Sequence, residues 1–491
     1  MGILSKAQDF LITNTLRGMT KFLPLVSDEK LTSAVKKRID TEIPYPEGRD
    51  FVLRIAAVAK SHLAKASANC RKRAVEAFLI NSQLKGAKVR EALKERLGYW
   101  APYLFVVSPT MRCNLSCYGC YAGEYEKSGK ETDLPWELLD SAMQQAKEMG
   151  IYFVVISGGE PFAYEHIFRL LEEHKDMYFQ MYTNGSLITP DVTKRLADLG
   201  NLIPCISVEG FEKETDARRG KGHFKKIMNA MEALRKNGVL FGYSATATRE
   251  NNDMIVSEKF VDFYIDKGCF IGWYFNYIPI GRAPKFELMP TPEQRIRRKR
   301  QLSNLRMEKD ILLADFWCDG PLCGGCIAGG RHYFHINNKG DVEPCVFIHF
   351  AKYNLRDMRL DEILDSDFFR AFRRRQPYDK NLMRPCAIID NPEILREVVE
   401  ETGAYPSHEG ADSIIADFAP QLDKYAQEYG RVADDYWFNE YLPSLTESDR
   451  KTFLDYIDFV KADNAKVFAR CDETTGDRPP LLEKEPPHEK R

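Results

Sequence analysis

Met111-Arg112-Cys113-Asn114-Leu115-Ser116-Cys117-Tyr118-Gly119-Cys120 follows directly on the apolar stretch Tyr103 to Val107. The apolar run predicts a short β-strand, and the loop after it carries three thiols in a C-x3-C-x2-C spacing. Three thiolates on so short a loop converge on one point, which suits a metal centre. Zinc usually takes four ligands from paired C-x2-C knuckles, whereas a lone triplet after a strand suits a four-iron cluster with one iron open to an outside ligand. On spacing alone zinc stays open as the alternative.

Outward from this loop the chain alternates strands and helices. Strands are predicted at Leu104–Ser108, Tyr152–Ile156, Tyr178–Tyr182, Ile203–Val208, Leu240–Thr246 and Ile271–Ile278, with helical stretches near 134–149, 164–174, 190–199, 222–237 and 256–267. Six such units imply an α/β fold with a parallel sheet and helices on its outer face. The pattern does not separate a barrel from an open doubly wound sheet. In a β/α barrel, functional groups gather at the C-terminal ends of the strands. Strand two ends there in Ser157-Gly158-Gly159-Glu160-Pro161, strand three in Thr183-Asn184-Gly185 and strand four in Ser207-Val208-Glu209-Gly210. Adjacent glycines let backbone approach a ligand closely.

A second cysteine-rich region runs from Cys318 to Cys386. Gly340-Asp341 predicts a hairpin that returns Cys345 to the side of Cys326, and Arg384-Pro385-Cys386 supplies a further thiol. Zinc, no metal, or a redox pair Cys323/Cys326 are the plainer readings. Cys70, Cys205, Cys269 and Cys471 read as ordinary thiols, and His332, His335 and His349 as structural histidines.

The ordered set of Cys113, Cys117 and Cys120, then Gly158-Gly159-Glu160-Pro161, Thr183-Asn184 and Ser207-x-Glu209, resembles the radical S-adenosylmethionine (SAM) enzymes over about residues 100–390. The resemblance implies a partial (β/α)6 TIM-type barrel and a 4Fe-4S cluster on the three cysteines. It further implies reductive cleavage of SAM to a 5′-deoxyadenosyl radical that abstracts hydrogen from a substrate. It assigns SAM contacts to Gly158, Gly159, Glu160, Pro161, Thr183, Asn184, Ser207 and Glu209. In Asp216-Ala217-Arg218-Arg219-Gly220, Arg219 is the expected partner of the SAM carboxylate, since a guanidinium fork suits a carboxylate. Family members usually carry an aromatic before the third cysteine. Here that place is Gly119, so Tyr118 is the expected adenine neighbour. Cys326, Cys345 and Cys386, with Cys323 or Cys318 as fourth, resemble the SPASM/Twitch extensions, which hold auxiliary iron–sulfur clusters. Five thiols there limit this to one auxiliary 4Fe-4S cluster. A low-potential electron donor such as flavodoxin or ferredoxin is implied as partner. A peptide, a protein or a lipid is the implied substrate class. The alternative is a non-catalytic iron–sulfur or zinc protein that retains the barrel.

The flanks add organisation. The 491 residues are 44% hydrophobic and 29% charged, the composition of globular domains. Residues 1–98 read as a basic helical region, broken at Ile43-Pro44-Tyr45-Pro46-Glu47-Gly48. Residues 1–100 hold 19 Lys+Arg against 10 Asp+Glu in a chain of net charge −2. That excess fits an acidic surface: a peripheral membrane contact, a phosphorylated substrate or the protein's own body. The domain reading continues with a core barrel at 99–290, an auxiliary-cluster region at 291–400, helices at 401–474 and a disordered tail at 475–491. The run Arg295-Ile296-Arg297-Arg298-Lys299-Arg300 reads as a solvated helix face rather than a nucleic-acid contact. With no signal peptide or membrane span in the reading, a cytoplasmic location is expected.

Overall fold

The computed structural model describes residues 36, 39, 43–125 and 129–469. Nearly all of the first 42 residues of the basic N-terminal region, Cys471 and the tail from 475 lie outside the described residues. Nine strands form one sheet: β1 Leu104–Val107, β2 Phe153–Ile156, β3 Tyr178–Thr183, β4 Leu202–Val208, β5 Gly242–Ala247, β6 Ile271–Asn276, β7 Leu312–Asp315, β8 His335–Ile336 and β9 Val342–Glu343. Their order is β7-β6-β5-β4-β3-β2-β1-β8-β9. Every pairing is parallel except β8 with β9. A doubly wound sheet reverses direction at a switch point. The unbroken run from β1 to β7 has none, which makes this a partial barrel.

Parallel strands covered on both faces read as continuous apolar runs. Phe105-Val106-Val107 and Val154-Val155-Ile156 are buried throughout. The crossover helices carry their own stop signals. In Pro190–Leu199 the Thr189 hydroxyl accepts from the Val192 amide, Pro190 opens the first turn, and Gly200 ends the helix at φ 72°.

Two strands beyond the six read from sequence complete the frame. β7 follows the helix Pro292–Glu308 and pairs with β6. β8 pairs with β1 from the other side, through Val106↔His335 and Val107↔Ile336. β8 contributes only two residues, too few for a pattern, whereas β7 falls on the apolar run 311–314, bounded by Asp310 and Asp315.

The basic run on helix Pro292–Glu308 is not a solvated face. Arg295, Arg298 and Lys299 are buried. Arg295 pairs with Asp390 at 2.6 Å, Arg298 with Asp315 at 2.5 Å and Lys299 with Glu47 at 2.8 Å. The partners lie up to about 250 positions away in sequence, so local charge balance gave no sign of them. Arg297 and Arg300 do face outward, each paired with an acid.

The break at residues 43–48 marks the start of a helix, Pro46–Lys65. Its Val58, with Ala77 from the next segment, packs on Tyr178, Ile203, Phe270 and Leu312. Those residues start β3, β4 and β7 or immediately precede β6, so the N-terminal helices close the N-terminal end of the barrel. Burying one such aliphatic side chain contributes about 1.5–3 kcal/mol. At the far end of the chain, helix Ala419–Tyr436 docks through Tyr425, whose hydroxyl donates to Pro290 O, and Tyr429, which donates to Met383 O. Among the described residues no helix is long and apolar enough to cross a membrane.

Candidate active site and cluster-binding cysteines

The barrel's lumen and its C-terminal mouth form one cavity of about 230 Å³. Cys113, Cys117 and Cys120 line it, together with Gly158, Gly159, Thr183, Asn184 and Ser207. The turns converge through backbone bonds. Gly159 N donates to Thr110 O at 2.9 Å and Glu160 N to Arg112 O at 2.8 Å, tying the strand-two turn to the cysteine loop. A Cβ at Gly159 would stand 2.2 Å from Arg112 O, so only glycine permits this approach. On the other side Arg282 N donates to Cys120 O at 3.1 Å. The loop is therefore held between the turns after β2 and β6.

Glu160, Pro161, Glu209 and Tyr118 are not on the cavity wall. Glu160 is fully buried and accepts from Thr183 Oγ1 at 2.7 Å, Asn184 N at 2.8 Å and Phe162 N at 3.2 Å. Burial raises its pKa against the pull of those donors. It locks the second turn to the third. Glu209 is claimed by two cations: Arg219 donates at 2.6 and 3.0 Å, Arg218 at 2.6 Å. Arg218 and Arg219 both reach the cavity, while Glu209 fixes them from behind. Arg218 also donates to the carbonyls of Tyr118 and Gly119, which fastens the cysteine loop. Burial opposes its charge, and Glu209 more than offsets this, so its pKa is raised.

Tyr118 is 42% exposed and lies over Arg218 rather than in the cavity. The aromatic beside Gly119 comes instead from Tyr277, at the end of β6. Gly119 has φ +61°, and a Cβ there would stand 2.6 Å from Tyr277 Cε2. Sequence reading chose Arg219 over its neighbour Arg218 and gave Tyr277 no role. The absent aromatic at 119 was the available signal, since space beside a glycine is filled by something. Trp273, Phe275, Phe316 and Phe347 add apolar lining.

A second cavity, of about 390 Å³, is lined by Cys323, Cys326, Cys345 and Cys386. It shares Leu104, Trp273, Phe316 and Ile327 with the first. Cys318 is elsewhere: its Sγ accepts from Arg298 Nη2 at 3.5 Å and faces Arg295 O at 3.7 Å. Among the described residues no three His, Cys, Asp or Glu side chains are close enough to share a single ion. A four-iron cluster puts each thiolate on its own iron and needs no such convergence.

The donor chemistry fits a cluster at two of these sulfurs and at one of the first set. Leu115 N donates to Cys113 Sγ at 3.4 Å, Phe347 N to Cys345 Sγ at 3.5 Å and Ile388 N to Cys386 Sγ at 3.3 Å. Each is the amide two residues on, and such a donor stabilises a thiolate ligand. Cys326 completes the group in the same cavity. Cys323 instead faces acceptors, Asp319 O and Gly325 O, both at 3.3 Å. Burial pushes the Cys345 and Cys323 thiols up to about 11 and Cys386 to about 12. Only a cation's charge brings such thiols to the thiolate form near neutrality.

Family models agree with this layout. The radical SAM superfamily model matches residues 107–256, and the SPASM iron–sulfur cluster-binding domain model matches residues 326–387. An AdoMet-dependent heme synthase of Methanosarcina barkeri is 25% identical over 301 residues, covering 56% of this chain and 85% of that one. Mycofactocin maturase MftC of Mycolicibacterium smegmatis is 29% identical over 302 residues, covering 57% and 74%. PqqA peptide cyclase of Bradyrhizobium diazoefficiens is 27% identical over 261 residues, covering 50% and 66%. Among solved structures, Streptococcus suis SuiB bound to precursor peptide SuiA matches at 21% identity and a TM-score of 0.48, covering 58% of this chain and 69% of that one. Residues 107–256 thus form a radical SAM domain and residues 326–387 a SPASM iron–sulfur cluster-binding domain, a pairing that implies S-adenosylmethionine and iron–sulfur clusters as cofactors.

Proposed function

We propose that this radical SAM enzyme cleaves SAM reductively at a 4Fe-4S cluster held by Cys113, Cys117 and Cys120, and modifies a peptide or protein segment. In the same reading Cys326, Cys345 and Cys386 hold one auxiliary cluster, with Cys323 as the weakest candidate for a fourth ligand. The observation that carries the proposal is the pair of adjoining cavities, each lined by its own cysteine set and sharing one apolar wall.

When bound, the first cluster supplies the electron for SAM cleavage and so the means of abstracting hydrogen from an unactivated carbon. The chain's own residues do the holding. Arg218 and Arg219, fixed by Glu209, present positive charge suited to the SAM carboxylate. Gly158 and Gly159 admit close backbone approach, and Tyr277 supplies an aromatic surface beside the third cysteine. Trp273, Phe275, Phe316 and Phe347 exclude water from the reacting end.

A peptide substrate is supported by the names of two relatives, a mycofactocin maturase and a PqqA peptide cyclase. A tetrapyrrole is the second reading. It is favoured by the aromatic lining and by the relatives named as heme synthases. The first experiment is anaerobic reconstitution with iron and sulfide counting and dithionite-driven 5′-deoxyadenosine release. About eight irons with release, and its loss in Cys117→Ala, is the expected result. An intact cluster without release in the presence of candidate peptides overturns the catalytic reading. A Soret shift on adding Fe-coproporphyrin III favours the tetrapyrrole, and salt-sensitive co-sedimentation with anionic vesicles favours a lipid.

A further inference from the structure

Tyr333 stands in the wall between the two cavities. Its side chain lines the barrel lumen, while its hydroxyl donates to Cys345 Sγ at 2.8 Å, and Cys345 lines the other cavity. The ring is 1% exposed and packs edge-on against Phe316, one of the four residues common to both walls. Its position is set by the sheet. Tyr333 lies just before β8, Gly330 N donates to Tyr333 O at 3.0 Å, and Phe334 stacks on Phe105 of β1 at 5.4 Å. The phenol is therefore held on the sulfur by backbone and packing on three sides.

We propose that Tyr333 is a positioning residue that sets the reduction potential of the auxiliary cluster from the substrate side. This rests on the reading of Cys326, Cys345 and Cys386 as cluster ligands. An electron added to an iron–sulfur cluster places negative charge on its sulfurs, and a hydrogen-bond donor on a ligand sulfur stabilises that reduced form. Phe347 N, at 3.5 Å, is the longer backbone donor to the same atom. The hydroxyl is the shorter contact and the one that belongs to a side chain facing the lumen. The cluster's potential is thereby tied to the wall that substrate touches.

The test is an EPR-monitored redox titration of the reconstituted full-length enzyme, with the SAM-binding cluster as internal reference. Tyr333→Phe lowers the auxiliary midpoint by about 59 mV, a tenfold shift in a one-electron equilibrium, and leaves the reference midpoint in place. Incorporation of 3-fluorotyrosine at position 333 keeps the ring, makes the hydroxyl a better donor and moves the midpoint up. Two midpoints unchanged in both variants, with about eight irons retained, overturn this inference alone. A wild type that binds only about four irons overturns it together with the auxiliary-cluster reading.

Discussion

Replacing Glu209 by Gln tests how the mouth of the barrel is held together. The carboxylate side chain is 3% exposed, and its partners Arg218 and Arg219 are 8% and 12% exposed. Three charge-assisted hydrogen bonds meet on its two oxygens. The variant keeps shape and one acceptor but leaves two buried guanidinium groups facing each other without an anion. Removing one partner of a buried pair costs about 3–5 kcal/mol, against about 0–1 kcal/mol for an exposed pair. We therefore expect a loss of about 3–4 kcal/mol, read as a fall in unfolding free energy of the cluster-free protein in urea. The order of effects is as informative as the size. Glu209→Gln strands two cations, whereas Arg219→Gln leaves Glu209 its bond to Arg218, so the first must cost more than the second. The double variant Glu209→Gln/Arg219→Gln should recover part of the loss, because the remaining cation no longer faces a like charge. Since Arg218 also holds the carbonyls of Tyr118 and Gly119, the first cluster's iron should be retained less well after gel filtration. A cost below about 1 kcal/mol, the range of surface pairs, would refute the argument from burial.

Other predictions follow from single contacts. Gly119→Tyr, which restores the aromatic before the third cysteine, should destabilise the loop by more than about 1 kcal/mol, because its Cβ meets Tyr277 at positive φ; combining it with Tyr277→Ala should relieve the contact but not the backbone strain, as read by thermal melting. Cys318→Ser should leave the iron content unchanged, because that sulfur sits with Arg298 outside the second cavity, whereas Cys386→Ser should lose about four irons. Burial lowers the pKa of His62 and His174 below the ordinary 6.5. As pH falls below that value the unfolded chain takes up protons that the folded chain refuses, so stability falls from there until the depressed folded values are reached. The urea midpoint should drop between pH 7.5 and 5.5, and the drop should be smaller in His62→Asn/His174→Asn.

The six core strands and their helices were legible because each element carries its own signal. Parallel strands are apolar on both faces, and helices such as Pro190–Leu199 bear a hydroxyl, a proline and a glycine at their ends. The strand-end turns were legible for the same reason, since a barrel puts its chemistry there and the glycines advertise close approach. What escaped was everything decided by distant partners. Arg295, Arg298 and Lys299 look solvated until Asp390, Asp315 and Glu47 arrive from three other parts of the chain. Cys318 and Cys323 are alike in sequence, and only the third dimension puts one with an arginine and the other on the cavity wall. Glu209 and Arg219 were read as two separate ligand contacts because their mutual bond is invisible in a string.

The pairing of β8 with β1 explains why the two cysteine sets adjoin at all. β1 runs into the Cys113 loop at its C-terminal end, and its free edge is the one place where another strand can extend the sheet beyond β2. The segment after Cys326 takes that edge. Leu104 N bonds His332 O, Val106 N bonds Phe334 O and Ser108 N bonds Ile336 O. Ser108 Oγ meets His335 Nε2 at 2.8 Å, and His335 Nδ1 meets Glu343 Oε2 at 2.5 Å, so a buried polar chain fixes the register of the hairpin that delivers Cys345. A slip by one residue would turn His335 out of this network and carry Tyr333 to the opposite face. The separation of the two cavities is thus fixed by a sheet register rather than by a flexible linker. The auxiliary cysteines are in this sense part of the barrel, and a substitution that weakens the β1–β8 edge, such as Glu343→Ala, should disturb both cavities together.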